Sequence, residues 1–364
     1  MECIRTTGLT NSEYLRQFSQ KVKKQRVPLS GGLALTHRCN LSCLHCYLAT
    51  NMSSETIRKK ELRTGQWLSL IDEITEAGCL FLLLTGGEPL LREDFADIYR
   101  HAKSRGLLLT IFTNGTLITD EVVELFDELP PRSVEISLYG ATAATYEKVT
   151  GITGSHEKCL RGIHLLLAHG INLRLKSVLM TSNSHEFFEI ERMAKHLGVR
   201  FRFDSAIFPR LDGDRSPLSL RIPPEEAVAK ETADEDRLRK WATYYGKRKD
   251  LPATDRLYTC GAGLTHFHVD PYGNLQPCSM VTHFSYQLSG GDFVRGWREV
   301  IPRIREKKAD AAYECNWCER KVLCGLCPAF FQMENGSETL RSEYLCEMGK
   351  LRFEAIQNAS AAAN

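Results

Sequence analysis

Thr36-His37-Arg38-Cys39-Asn40-Leu41-Ser42-Cys43-Leu44-His45-Cys46-Tyr47 begins at the end of a strand-like run at residues 33–36. It sets three cysteines in one short loop, spaced C-x3-C-x2-C. Three thiolates at this spacing can hold three corners of an iron–sulfur cube and leave the fourth iron without a protein ligand. An open iron can take a substrate or cofactor, so the loop points to catalysis rather than to electron storage.

Outward from the loop, helix and strand signals alternate. Trp67, Leu70, Ile71 and Ile74 recur at helical spacing behind Thr64, a residue able to cap a helix. Gly78 stops that helix, and an apolar run follows at 80–84. The punctuation returns: Gly106 precedes 107–112, Gly170 precedes 171–179 and Gly198 precedes 199–207, each a helix stop feeding a buried strand. Residues 134–138 add another strand. The six strands so counted, separated by helical patterns, indicate a parallel sheet with right-handed crossovers. The expected fold class is α/β, a partial (β/α)6 TIM-like barrel. In such barrels the chemistry gathers at the C-terminal ends of the strands.

Three strands carry polar residues on one face only. Glu135 and Ser137, Arg174 and Lys176, and Arg202 and Asp204 alternate with apolar neighbours. If the apolar sides meet the outer helices, the polar sides line a wet lumen, because burying such charges unpartnered is costly. They either pair with one another or bind a polar ligand, and Asp204 is the candidate substrate contact or proton acceptor. Gly86-Gly87-Glu88-Pro89 ends the second strand. Its glycines would let a ligand approach the backbone, and the adjacent carboxylate suits an ammonium group.

Lys+Arg number 47 against Asp+Glu 45, which leaves no broad basic footprint for nucleic acid. No apolar run reaches the length of a membrane span, and no charged-then-apolar signal pattern opens the chain. Thirteen cysteines in such a chain fit metal ligation in a reducing cytoplasm better than disulfides. Cys3, Cys79 and Cys159 stand apart from the clusters. Cys79 and Cys159 lie in apolar or helical surroundings and read as small core residues.

After residue 208 the composition turns rich in Pro, Asp, Arg, Lys and Glu, which reads as a linker with one charged helix near 224–245. Beyond it come Cys260, Gly273 and Cys278, then Cys315, Cys318, Cys324 and Cys327, and finally Cys346. The spacing is C-x12-G-x4-C, a gap, C-x2-C-x5-C-x2-C, a gap, and C. Periodicity weakens here, as it does where metal ligands replace much of a small domain's core. Taken alone, paired C-x2-C steps suit tetrahedral zinc as well as iron.

The first loop, followed after one helix and one strand by the GGEP run, resembles the radical S-adenosylmethionine (SAM) enzymes. The second cysteine set resembles the SPASM domain, with one departure: two residues separate the last pair, where three are common. The resemblance spans about residues 30 to 350. It implies a [4Fe-4S] cluster on Cys39, Cys43 and Cys46, whose open iron chelates the amino and carboxylate groups of SAM. Reductive cleavage then gives methionine and a 5'-deoxyadenosyl radical, which removes a hydrogen atom from an unactivated carbon. By position, Gly86, Gly87, Glu88 and Pro89 would grip the methionine amino group. Asn114 and Ser137 would lie at SAM-contacting strand ends, Arg174 or Lys176 would suit its carboxylate, and His45 would pack near the adenine. Two auxiliary iron–sulfur clusters are also implied. The outer one would use Cys315, Cys318, Cys324 and Cys346, and the inner one Cys260, Cys278 and Cys327, with an open iron or a ligand such as Asp255.

The implied task is oxidative modification of a ribosomally made precursor peptide. A separate leader-binding protein and an electron donor such as flavodoxin or ferredoxin are the expected partners. Sulfatase maturation fits poorly, because those enzymes carry an aspartate where this chain has Ser279. A small-molecule or tetrapyrrole substrate is the alternative, and a non-catalytic metal-stabilised scaffold the remote one. The expected organisation is an arm at 1–29, the barrel at 30–208, the linker at 209–256, the auxiliary-cluster domain at 257–350 and a tail at 351–364.

Overall fold

The computed structural model describes residues 10–48, 55–252, 254–288, 290, 292–310 and 313–362. Strands β1 (Ser30–Thr36), β2 (Phe81–Gly86), β3 (Leu108–Thr113), β4 (Ser133–Ser137), β5 (Leu173–Val178) and β6 (Arg200–Asp204) follow one another in chain order. Each pairs in parallel with the next. Helices fill the crossovers, among them Thr64–Glu76, Phe95–Ser104, Asp120–Glu128, Ser155–Ala168 and Phe187–His196. This is the α/β arrangement the alternation predicts. The glycines expected to stop helices all take left-handed φ: Gly78 at 101°, Gly106 at 80°, Gly170 and Gly198 at 69°. Thr64 is the first helical residue rather than the cap. Its hydroxyl donates to Asp94 (2.6 Å), while the Gln66 side chain reaches back to the Arg63 N–H (3.0 Å).

One face of the sheet makes the core. Leu33, Leu35, Leu82, Leu84, Ile111, Val134, Ile136 and Leu175 are buried against Trp67, Ile71, Ile98, Phe126 and Ile163. Burying each such aliphatic side chain contributes about 1.5–3 kcal/mol. Period-two geometry leaves the alternate residues, including Glu135, Arg174, Lys176 and Arg202, on the opposite, inner face.

The sheet continues past β1. Strand β7 (His266–Val269) pairs in parallel with β1, and β8 (Asn274–Gln276) and β9 (Tyr286–Gln287) follow antiparallel. Gly31 permits the β1–β7 seam, since a Cβ there would lie 2.1 Å from the Phe267 ring. Phe267, Val269, Leu275, Phe293 and Trp297 join the same core. The start of the cysteine-rich region therefore shares sheet and core with the barrel. Strands of four, three and two residues carry too few alternations to be read from sequence.

A smaller core of Leu257, Tyr258, Val281, Ile304, Phe330, Phe331 and Leu345 has Cys278, Cys315 and Cys327 packed against it. Between the barrel and this core lie two helices, Pro224–Thr232 and Glu235–Gly246, where one was expected. Asp234 divides them by accepting a hydrogen bond from the Arg237 N–H (2.8 Å). The last helix, Glu343–Ala362, runs on through the residues read as a tail. Cys79 and Cys159 are core residues as expected, and Cys3 lies outside the described residues. Among the described residues no helix is long and apolar enough to cross a membrane.

Candidate active site

The first cysteine loop is held by the end of helix Ala143–Thr150. Ser42 N–H donates to Thr150 O (2.9 Å) and Leu44 N–H to Val149 O (3.0 Å). Cys39 Sγ accepts from Leu41 N–H (3.4 Å) and from Asn114 Nδ2 (3.8 Å). Burial pushes the Cys39 thiol up to about 11 and the Cys43 thiol far above the usual range, and the charge of neighbouring sulfurs adds to both. A pocket that crowds three sulfurs and disfavours their charge is one that cationic iron compensates. The donor set therefore fits a [4Fe-4S] cluster.

The GGEP run sits directly against this loop. Gly87 N–H donates to Thr36 O (2.8 Å) and Glu88 N–H to Arg38 O (2.9 Å). A Cβ on Gly86 would lie 2.1 Å from Thr36 O, and one on Gly87 2.3 Å from Arg38 O. The close approach these glycines allow in the structure is that of the cysteine loop, a steric requirement that stands beside the ligand approach expected from sequence. Glu88 is fully buried. Thr113 Oγ1 (2.8 Å) and Leu90 N–H (3.1 Å) donate to its Oε1, and Asn114 N–H (2.7 Å) to Oε2. The carboxylate thus clasps the end of β2 to the end of β3. Burial pushes it up to about 7, while these donors and the Lys176 ammonium pull it back. Asn114 extends the clasp to the cysteines, with its Nδ2 2.9 Å from Asn40 Oδ1. Pro89 is buried and opens the turn Pro89–Leu91.

Lys176 faces this cluster from β5. Its Nζ lies 3.2 Å from the centre of the Phe112 ring. Burial, and then the nearby Arg202, lower its ammonium to about 7. Ser137 ends β4 close to the Tyr139 phenol, which burial and then the charge of Cys43 push far up. The His45 ring meets Tyr139 edge-on at 4.6 Å, and burial lowers it to about 4, so the imidazole is neutral. Its Nδ1 is buried without a partner. Cys39, Glu88, Asn114 and Lys176 are thus brought together. Arg174 lies one step earlier on β5, toward Glu135 (3.8 Å). Asp204 ends the edge strand, exposed, and accepts from Ala206 N–H (2.8 Å).

Arg210 belongs to this neighbourhood and was not anticipated. Its charge pulls the Cys46 thiol down against the upward push of burial, and Leu211 N–H donates to Tyr47 O (2.8 Å). It lies in the stretch read as linker, and only the fold-back of that stretch brings it here.

In the C-terminal region, Cys315, Cys318, Cys324 and Cys346 line one cavity of about 150 Å³. Cys278 and Cys327 are raised by burial and by the charges of their sulfur neighbours, which include the exposed Cys260. Cys327 caps helix Pro328–Asn335, its Sγ accepting from Phe330 N–H (3.4 Å). Asp255 is exposed and paired with Lys308 (2.6 Å). Among the described residues no three His, Cys, Asp or Glu side chains close on a single metal ion. A cubane asks for something different, one cysteine per iron with the sulfurs spread around a cube.

Comparison with known proteins agrees with this geometry. The family profile described as the Radical SAM superfamily matches residues 33–197. An AdoMet-dependent heme synthase of Nitratidesulfovibrio vulgaris is 30% identical over 335 residues, covering 86% of this chain and 90% of the relative. A PqqA peptide cyclase of Rhodopseudomonas palustris is 26% identical over 327 residues, covering 85% and 81%. Streptococcus suis SuiB, solved bound to precursor peptide SuiA, superposes with a TM-score of 0.69 at 17% identity, covering 95% of this chain and 84% of that one. From the cysteine loop, its glycine-backed clasp and these relatives together, the chain belongs to the radical SAM superfamily and is a radical SAM enzyme.

Proposed function

We propose that this enzyme modifies a ribosomally made precursor peptide by removing a hydrogen atom from it. The observation that carries the reading is the clasp that ties Glu88, Asn114 and Cys39 into one unit facing Lys176. Cys39, Cys43 and Cys46 would hold a [4Fe-4S] cluster, which would supply the one-electron chemistry that turns SAM into a source of a hydrogen-abstracting radical. The chain supplies position and dryness. The backbone at Gly86–Pro89 and the Asn114 amide orient the methionine end of SAM, with Glu88 holding both segments in place. Lys176 meets the SAM carboxylate, and Ser137, Tyr139 and His45 wall the nucleoside. The inner face of β4–β6 then receives the substrate.

Four cysteines around one cavity support an auxiliary cluster at Cys315, Cys318, Cys324 and Cys346. Cys260, Cys278 and Cys327 form a second auxiliary set. Similarity to a peptide cyclase supports a peptide substrate. Similarity to a heme synthase over most of the chain favours a tetrapyrrole as the second reading. The deciding experiment is anaerobic incubation with SAM and reduced flavodoxin or ferredoxin, giving precursor peptides in one arm and iron coproporphyrin in the other. Mass analysis of a peptide changed in step with 5'-deoxyadenosine supports the first reading. Change in the porphyrin alone overturns it in favour of the second.

A further inference from the structure

We propose that the substrate received on the inner face carries carboxylate groups, and that Arg174, Arg200 and Arg202 bind them. This deepens the substrate reading above and rests on it. Strand register stacks Glu135, Arg174 and Arg200 in one row, and Ser137, Lys176 and Arg202 in the next. Arg202 reaches back across β5, with Nε and Nη2 donating to Glu135 Oε2 at 3.0 and 2.8 Å. Its guanidinium also lies 5.4 Å from the centre of the Phe112 ring, so it leans inward over the sheet. Arg174 Nη1 stands 3.8 Å from the other oxygen of the same carboxylate. One carboxylate therefore serves two guanidiniums.

Among the described residues the remaining positive charge has no ion-pair partner. Arg200 is exposed on the same face, with no carboxylate within ion-pair distance among the described residues. The Nε of Arg174 is buried without a hydrogen-bond partner. Glu88 is taken up by its own clasp, and Asp204, at the end of β6, is turned to the Ala206 N–H and feels Arg352 before Arg202. An orphaned guanidinium donor beside excess positive charge is completed by a carboxylate, whose two oxygens match the arginine fork. Lys176 is assigned to SAM, so the anion taken by these arginines belongs to the substrate. Acidic side chains of a peptide and propionates of a tetrapyrrole share this chemistry.

The test is equilibrium binding to the reconstituted, SAM-loaded enzyme with two matched ligand pairs. One pair is iron coproporphyrin with free propionates and its tetramethyl ester. The other is a short glutamate-containing peptide and its glutamine twin. The acid member of one pair is expected to bind at least about tenfold tighter than its twin, and which pair shows this identifies the source. Arg200→Gln and the double variant Glu135→Gln/Arg202→Gln should each reduce that preference about tenfold, whereas Arg200→Lys, which keeps the charge but not the fork, should lose less than Arg200→Gln. Arg200 has no ion pair to lose, and the double variant leaves no unpaired Glu135, so both should fold; circular dichroism checks this. If the neutral twins bind as tightly as the acids, or the preference survives both variants, the carboxylate site is overturned and the inner-face reading stands. If none of the four ligands binds, both are overturned.

Discussion

Lys176 is a cation held in a place that disfavours its charge. Glu88, Glu135 and Arg202 all act on it, and burial dominates, lowering its ammonium to about 7. A lysine with a depressed folded value holds fewer protons than the unfolded chain between pH 7 and its ordinary 10.5. Folding stability should therefore rise with pH through that window, by up to about 1.4 kcal/mol per unit, and Lys176→Met should flatten the rise in denaturant titrations. A bound SAM carboxylate favours the ammonium form. Calorimetry in buffers of different ionisation enthalpy should thus find proton uptake on SAM binding at pH 8, with affinity falling as pH rises through 7. Both effects should vanish in Lys176→Met. Cys43→Ala removes one of three loop sulfurs and should lower 5'-deoxyadenosine formation more than about a hundredfold, measured by chromatography. An undiminished rate would refute the assignment of this loop. Most of these residues were visible beforehand because each sits at a fixed offset in a short run. Arg210 and Tyr139 were not, since neither belongs to a motif.

At the scale of elements, the junction of β1 and β2 joins the sheet to the cysteine loop. Gly87 lies 2.9 Å or less in hydrogen-bond terms from two backbone oxygens of that loop through its own and the next N–H. A Cβ on Gly87 would lie 2.3 Å from Arg38 O, against backbone that cannot swing aside. Gly87→Ala should destabilise the fold by about 1–3 kcal/mol and lower bound iron, as read by thermal melts and iron analysis. Gly65→Ala is the control. Nothing lies within 4 Å of a Cβ there, and alanine is the better helix former, so stability should hold or rise slightly. The strands themselves were legible because glycine stops and apolar runs are local signals. The reason for the GGEP glycines was not, because it depends on a segment some fifty residues earlier arriving on top of them.

At the scale of the molecule, the two cysteine regions are joined by one sheet and one helix. Arg352 on the last helix pairs with Glu231 (2.6 Å) and donates to Leu323 O (2.7 Å), both side chains nearly buried. Arg352→Ala strands Glu231 without its cation and should cost about 3–5 kcal/mol, visible as a lowered melting temperature. Cys346 rides on that helix, so Cys346→Ser is expected to lower iron by about four atoms per chain if it ligates an auxiliary cubane. Unchanged iron would remove Cys346 from the ligand set.

The amino-acid sequence alone determined the parallel α/β barrel and the three-cysteine loop. Both are encoded in residues close together along the chain, as periodicity, helix stops and ligand spacing. Only the tertiary structure decided that β7 joins β1, that Glu88 faces inward as a clasp, that Arg210 folds back beside Cys46, and that Arg202 shares Glu135 with Arg174. Those outcomes depend on packing between segments distant in sequence, where the steric and electrostatic match exists only once both partners have been brought together.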